Sequence, residues 1–146
     1  MSFRLAERFG RRAPSPRRER VDSVLLASHF INAPAFEDRR RLLEVCKLHT
    51  RAGGLVLVER YDVEWARTAQ QGVRRVGDVT ISLHDLERDG ELLHAAVTYT
   101  VDDHSWTQRF TAMILDDERL GDEAAAVGLR LDSWIGERRE WGLFRA

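Results

Sequence analysis

The spacing of apolar positions divides the chain into segments of different period. Val21 to Ile31, VDSVLLASHFI, is a nearly continuous apolar run that suits a strand buried on both faces, and Asn32, Ala33 and Pro34 stop it. From Ala35 to Arg51 the spacing is helical, with Leu42, Cys46 and His49 near one stripe and Leu43 beside it. Gly53 and Gly54 read as the C-terminal cap of that helix. Leu55 to Tyr61, LVLVERY, is a second strand-length apolar run. Strand, helix and strand with short joints form a βαβ unit, which requires a parallel pair and a right-handed crossover.

The middle of the chain changes character. Residues 62–77 predict one short helix around Trp65 to Gln70, followed by a polar, glycine-bounded loop. From Asp78 to Leu115 the period falls to two. Val79, Ile81 and Leu83 fall in one strand, Leu93, Ala95, Val97 and Tyr99 in the next, and Trp106, Phe110 and Ile114 in a third. Turn signals around Asp89–Gly90 and Asp102–Ser105 make this an antiparallel meander. Asp116 then reads as an N-cap, Leu120, Ala124 and Val127 share a helical face, and Gly128 closes the helix. A closing hairpin is expected from Leu129–Glu137 and Glu140–Ala146.

A chain of 146 residues fits one domain. No apolar run approaches the ~20 residues that a membrane-spanning helix needs. Arginines without a following apolar segment exclude a secretory signal of the usual kind, and one cysteine, Cys46, forms no internal disulfide, so a reducing, cytoplasmic setting is the expectation. The net charge of -1 hides an asymmetry: residues 1–20 hold seven Arg and two acids, ahead of a mildly acidic body over 21–146. The tail RRAPSPRRER combines like charges with prolines and predicts disorder. It has no interleaved aromatics and no basic face to continue it, so no nucleic-acid partner is expected. His84, His94 and His104 carry no CxxC, HxxxH or HExxH phrase, and no metal site is expected.

The order of elements and the phrases AGGLVLVER and AAAVGLRL resemble the C-terminal half of class I S-adenosylmethionine-dependent methyltransferases. The resemblance covers nearly everything after residue 20. It implies a partial Rossmann-like α/β sheet, with equivalents of strands 4, 5, 7 and 6 and the meander of about 78–115 as an insertion above the substrate cleft. It implies S-adenosylmethionine as cofactor and a small-molecule methyl acceptor. The N-terminal half that holds the cofactor in that family has no counterpart: none of the ten glycines lies in a GxG arrangement, and no strand precedes Val21 to end in a ribose-binding acid. The chain alone is therefore expected to bind the cofactor weakly or not at all.

Ligands of open α/β sheets sit beyond the carboxyl ends of the strands. That selects Ser28, His29 and Asn32 after the first strand and Glu59, Arg60 and Tyr61 after the second. By the resemblance, the first three would border the cofactor and the second group the substrate. His29 suits a general base, since imidazoles exchange protons near neutral pH, or is a strand-end histidine bonded to a backbone carbonyl. Glu59 positions an amine or hydroxyl, or pairs with Arg60 or Arg67. Trp65 and Trp106 form an apolar wall for the acceptor or belong to the core. Two other functions fit the same pattern: a noncatalytic remnant or partner protein that keeps the sheet for binding, and an unrelated α+β ligand-binding module, which requires antiparallel neighbours in place of the parallel pair. A strand over 21–31 without its missing neighbour is also an exposed apolar edge, expected to self-associate through Val24, Leu26 and Phe30 or to take a complementary half.

Overall fold

The computed structural model describes residues 19–146; the basic tail of residues 1–20 lies almost wholly outside them. Two four-stranded sheets make up the molecule. The first contains β1 (Val21–Leu26), β2 (Thr50–Glu59), β7 (Arg130–Ile135) and β8 (Trp141–Arg145), in the order β1-β2-β8-β7. β1 and β2 run parallel, with Leu25 beside Leu57, joined by α1 (Phe36–His49). β8 is antiparallel to β2 and to β7. The parallel pair removes the α+β module with antiparallel neighbours, and the arm from Glu140 lies beside β2 as the pattern predicts.

The first strand is shorter than the apolar run. Expected over 21–31, it stops at Leu26, because Ser28 and His29 both adopt left-handed backbone, with φ of 58° and 57°, and turn the chain into a 3-10 turn at Phe30–Asn32. Two consecutive non-glycine residues in that region cannot continue a strand. The helix cap also differs from expectation. α1 ends at His49, where the Thr50 hydroxyl donates to the Cys46 carbonyl at 2.7 Å, and Gly53 and Gly54 lie inside β2. At Gly54 a Cβ would meet the Asp22 carbonyl oxygen at 2.8 Å, so only glycine lets β1 approach here.

α1 and α3 (Asp117–Ala126) cover one face of this sheet. Leu26, Leu43, Cys46, Val56, Val58, Leu120, Ala124, Leu129 and Phe144 close the core between them. Both helices start with acids, which suits the positive N-terminal end of the helix dipole, and the Asp116 carboxylate accepts from the Arg119 amide as the N-cap read from the sequence. Arg39 is fully buried between the helices. Its guanidinium grips the Glu123 carboxylate through two hydrogen bonds of 2.8 and 2.7 Å and donates to the Ala33 and Pro34 carbonyls.

The second sheet is the meander, with one strand more than the pattern showed. β3 (Gly72–Val76) pairs with β4 (Val79–Asp89), followed by β5 (Leu92–Val101) and β6 (His104–Met113), all antiparallel. β3 occupies the segment read as a loop. Every one of its residues is exposed, so the strand arises from ladder hydrogen bonds and leaves no apolar alternation. α2 (Val63–Thr68) bridges the sheets, capped by the Asp62 carboxylate, which accepts from the Glu64 and Trp65 amides.

Candidate functional site

The end of β1, the end of β2 and the inner face of the meander enclose a cleft of about 740 Å³. The turn after β1 projects His29, which stacks on Tyr61 with ring centroids 4.1 Å apart. Tyr61 also meets Trp65 of α2 at 5.5 Å and Phe110 of β6 at 6.0 Å. Across the meander Ile81, Leu83, Val97 and Tyr99 continue the apolar wall. The result is a cleft with an aromatic cluster, lined also by the polar side chains of Asp62, Gln70, Arg74, Arg138 and Glu140.

The predicted residues enter this site in different ways. Ser28 is exposed, and its amide donates to the Glu59 carboxylate at 2.6 Å, tying the β1 turn to the end of β2. Glu59 thus serves the turn and not the expected arginines: Arg60 pairs with Asp117, and Arg67 with Glu91 and Asp116. Asn32 is buried. Its amide nitrogen donates to the Met113 carbonyl at 2.8 Å, and its oxygen accepts from the Tyr61 amide at 3.0 Å, so one side chain fastens the first sheet to the end of the meander. Trp65 lines the cleft. Trp106 is 54% exposed and stacks on Tyr99 at 5.8 Å, which places it at the rim and outside the core.

His29 Nδ1 is buried without a hydrogen-bond partner. An unpaired buried nitrogen costs free energy that a polar ligand group would recover. Burial pushes the Tyr61 phenol above its ordinary value, with Tyr99 and Glu59 adding to the effect, so it stays protonated at neutral pH and can donate a hydrogen bond. Asp62 is held the other way: burial alone would raise it, but Arg138 at 2.8 Å and the Trp65 and Glu64 amides outweigh that and keep it below the usual carboxylate range.

Sequence reasoning missed Tyr99 and Phe110 as lining. Their signal was present, because both share period-two parity with Trp106 and so face the same side of the meander. Arg60 was placed at the rim but is buried. It donates to the carbonyls of Leu115 and Arg139 and lies 3.9 Å over the Trp134 ring, which makes it a strut beneath the site. Among the described residues no group of three His, Cys, Asp or Glu side chains could hold a metal ion, and no helix is long and apolar enough to cross a membrane.

No family model and no curated protein matches the chain. Solved structures do. An S-adenosylmethionine-dependent methyltransferase from Clostridium acetobutylicum superimposes with a TM-score of 0.72 at 9% identity, over 86% of this chain and 57% of that one. The CcbJ methyltransferase from Streptomyces caelestis gives 0.71 at 13% identity, over 88% and 62%. An amino pentose methyltransferase from Micromonospora echinaspora gives 0.64 at 15% identity, over 88% and 59%. The fold is thus an α/β arrangement with mixed sheets, shared with S-adenosylmethionine-dependent methyltransferases. The chain spans about three-fifths of the length of these structures.

Proposed function

We propose that this chain is the acceptor-binding, C-terminal part of a methyltransferase fold, and that its cleft holds a small molecule whose amine or hydroxyl receives a methyl group from S-adenosylmethionine. The observation that carries the reading is the position of His29: an imidazole with a buried, unpartnered nitrogen, stacked on Tyr61 at the carboxyl end of a parallel strand. Three of the matched structures are described as an amino pentose methyltransferase, a sugar N-methyltransferase and a glycopeptide N-methyltransferase, which supports an amine-bearing acceptor.

The described residues do not by themselves fit the cofactor. The Ser28 amide is committed to Glu59 and both polar ends of Asn32 are committed inside the fold, so of these three His29 alone keeps an open nitrogen. Ser28, His29 and Asn32 would form at most a margin of a cofactor site. The acceptor side is better equipped. Tyr61 and Trp65 give it an aromatic bed, Trp106 borders the rim, and Glu59 fixes the turn that aims His29. His29 is the group proposed to take the proton that the acceptor nitrogen or oxygen must lose.

Two titrations test the reading. The 146-residue chain should bind S-adenosylhomocysteine weakly or not at all by calorimetry; micromolar affinity would mean that the rim carries more of the cofactor site than proposed. A panel of amino sugars should shift the His29, Tyr61 and Trp65 resonances, with the shifts lost in Tyr61→Ala. A panel that leaves those three residues unmoved rejects the acceptor site.

A further inference from the structure

The two faces of β4 exchange partway along the strand. Ile81 and Leu83 stand opposite Tyr99 and Val97 and line the cleft, while His84 stands opposite Ala96 on the outer face. Strict alternation would carry Glu87 to the cleft and Arg88 to the outer face. Instead, β4 takes three steps from His84 to Glu87 while β5 takes two from Ala96 to His94. The extra residue makes a bulge at Asp85, whose φ of 50° lies in the left-handed region and whose carboxylate is paired with Arg109 at 2.9 Å. Beyond the bulge Glu87 meets His94 outside, and Arg88 meets Leu93, a fully buried residue of the inner face.

That exchange delivers a guanidinium to α2. Arg88 Nε donates to the Ala66 carbonyl at 2.9 Å, and Nη2 donates to the Ala69 carbonyl at 2.8 Å. Six residues are too few for a helix to hold in water on its own, and the last carbonyls have no following turn of amides to accept from. A cation at this end satisfies them and suits the negative pole of the helix. Between Arg88 at one end and the Asp62 cap at the other, Ala66 packs on Leu93 and Ile114, and Trp65 turns toward Tyr61 in the cleft. Arg88 itself does not line the cleft, so any influence on a ligand passes through Trp65.

We propose that Arg88, aimed by the bulge at Asp85, is a positioning residue for the acceptor, a role that rests on the cleft being the acceptor site. It fixes α2 so that Trp65 stands ready as a surface for the acceptor ring. A tryptophan held in place before binding spares the ordering cost that a mobile one would add to each binding event. The acceptor favoured by this arrangement carries an apolar ring face for Trp65 as well as an amine or hydroxyl for His29.

Arg88→Ala in the 146-residue chain tests the role, read on the Trp65 indole resonance and on amide exchange along α2, neither of which needs a ligand. The α2 amides should exchange about tenfold faster and the indole signal should move, while the His29 and Tyr61 resonances and the β4–β5 ladder amides stay as they were. Arg88→Lys, which reaches one carbonyl in place of two, should restore part of the protection. For an amino sugar that the unsubstituted chain binds, Arg88→Ala should weaken affinity about threefold to tenfold. In a chain already carrying Trp65→Ala the same change should cost no further affinity, because Arg88 acts through that ring. An unmoved Trp65 signal with unchanged α2 exchange overturns the role, and so does an affinity loss that adds in full to that of Trp65→Ala. A parent chain that binds no amino sugar rejects the acceptor site instead, and the α2 measurements still decide whether Arg88 holds Trp65.

Discussion

Eleven buried residues from five strands and helices and their connections knit the helix-backed sheet together, whereas under the meander the buried cluster consists of Ala66, Leu93 and Ile114, and the further buried residues of its strands are the small Ala95, Ala96 and Ala112. The outer face of the meander is polar. Thr98 bonds Thr107 at 2.6 Å, Thr100 bonds Ser105 at 2.7 Å, and His84 and His94 bond Thr98 and Thr111. One region is held by apolar burial and a buried ion pair, and the other mostly by its own ladder. A sheet with so little core keeps its inner face free for a ligand, but it depends on its neighbour for position. Asn32 supplies that dependence by bonding to both regions.

The largest expected effect strikes the first region. Arg39→Ala leaves Glu123 with its principal buried partner gone, and breaking such a pair costs about 3–5 kcal/mol, read as a lowered midpoint in chemical denaturation. Asn32→Ala should cost less, about 2 kcal/mol for the Met113 carbonyl and Tyr61 amide left unpaired. Its signature is local: amide exchange should quicken around Tyr61 and the end of β6 while the core between α1 and α3 stays protected. If Asn32→Ala loosens both regions equally, the two regions are not separately held.

A smaller effect concerns the bridge between the regions. The Asp62 carboxyl lies below its unfolded value, so it contributes stability above that value, and the contribution is lost as pH falls through the folded one. α2 should therefore loosen below about pH 4, reported by Trp65 fluorescence, and Asp62→Asn should remove that pH dependence. The screened surface pair with Arg138 and the cap make this worth under about 1 kcal/mol. Smallest is Thr98→Val on the outer face, which should shift stability by no more than about 0.5 kcal/mol, because water can replace its hydroxyl partners there.

Much of the helix-backed sheet was legible in the sequence, since burial imposes its period on Val56, Val58, Leu120 and Ala124. The parallel pair, the capped final helix and the closing hairpin followed from that. β3 was not legible because GVRRV buries nothing. Arg39 and Arg60 were not legible as interior residues because an arginine is ordinarily a surface residue, and only the pairing with Glu123 and Asp117 makes their burial tolerable. At the site, the strand ends were readable from topology, but the direction of each side chain was not. The left-handed backbone of Ser28 and His29 decides where the imidazole points, and neither residue type announces it.

That backbone sets protein longevity against ligand recognition. Holding a non-glycine residue in the left-handed region costs of order 1 kcal/mol, so Ser28→Gly is a substitution that a screen for heat resistance would select. The same change would let the turn wander and take the ring off Tyr61. A lineage selected only for durability would relax this turn toward glycine, while one selected for turnover of an acceptor would keep the strained pair. The residue at this position across related chains is thus a record of which demand prevailed.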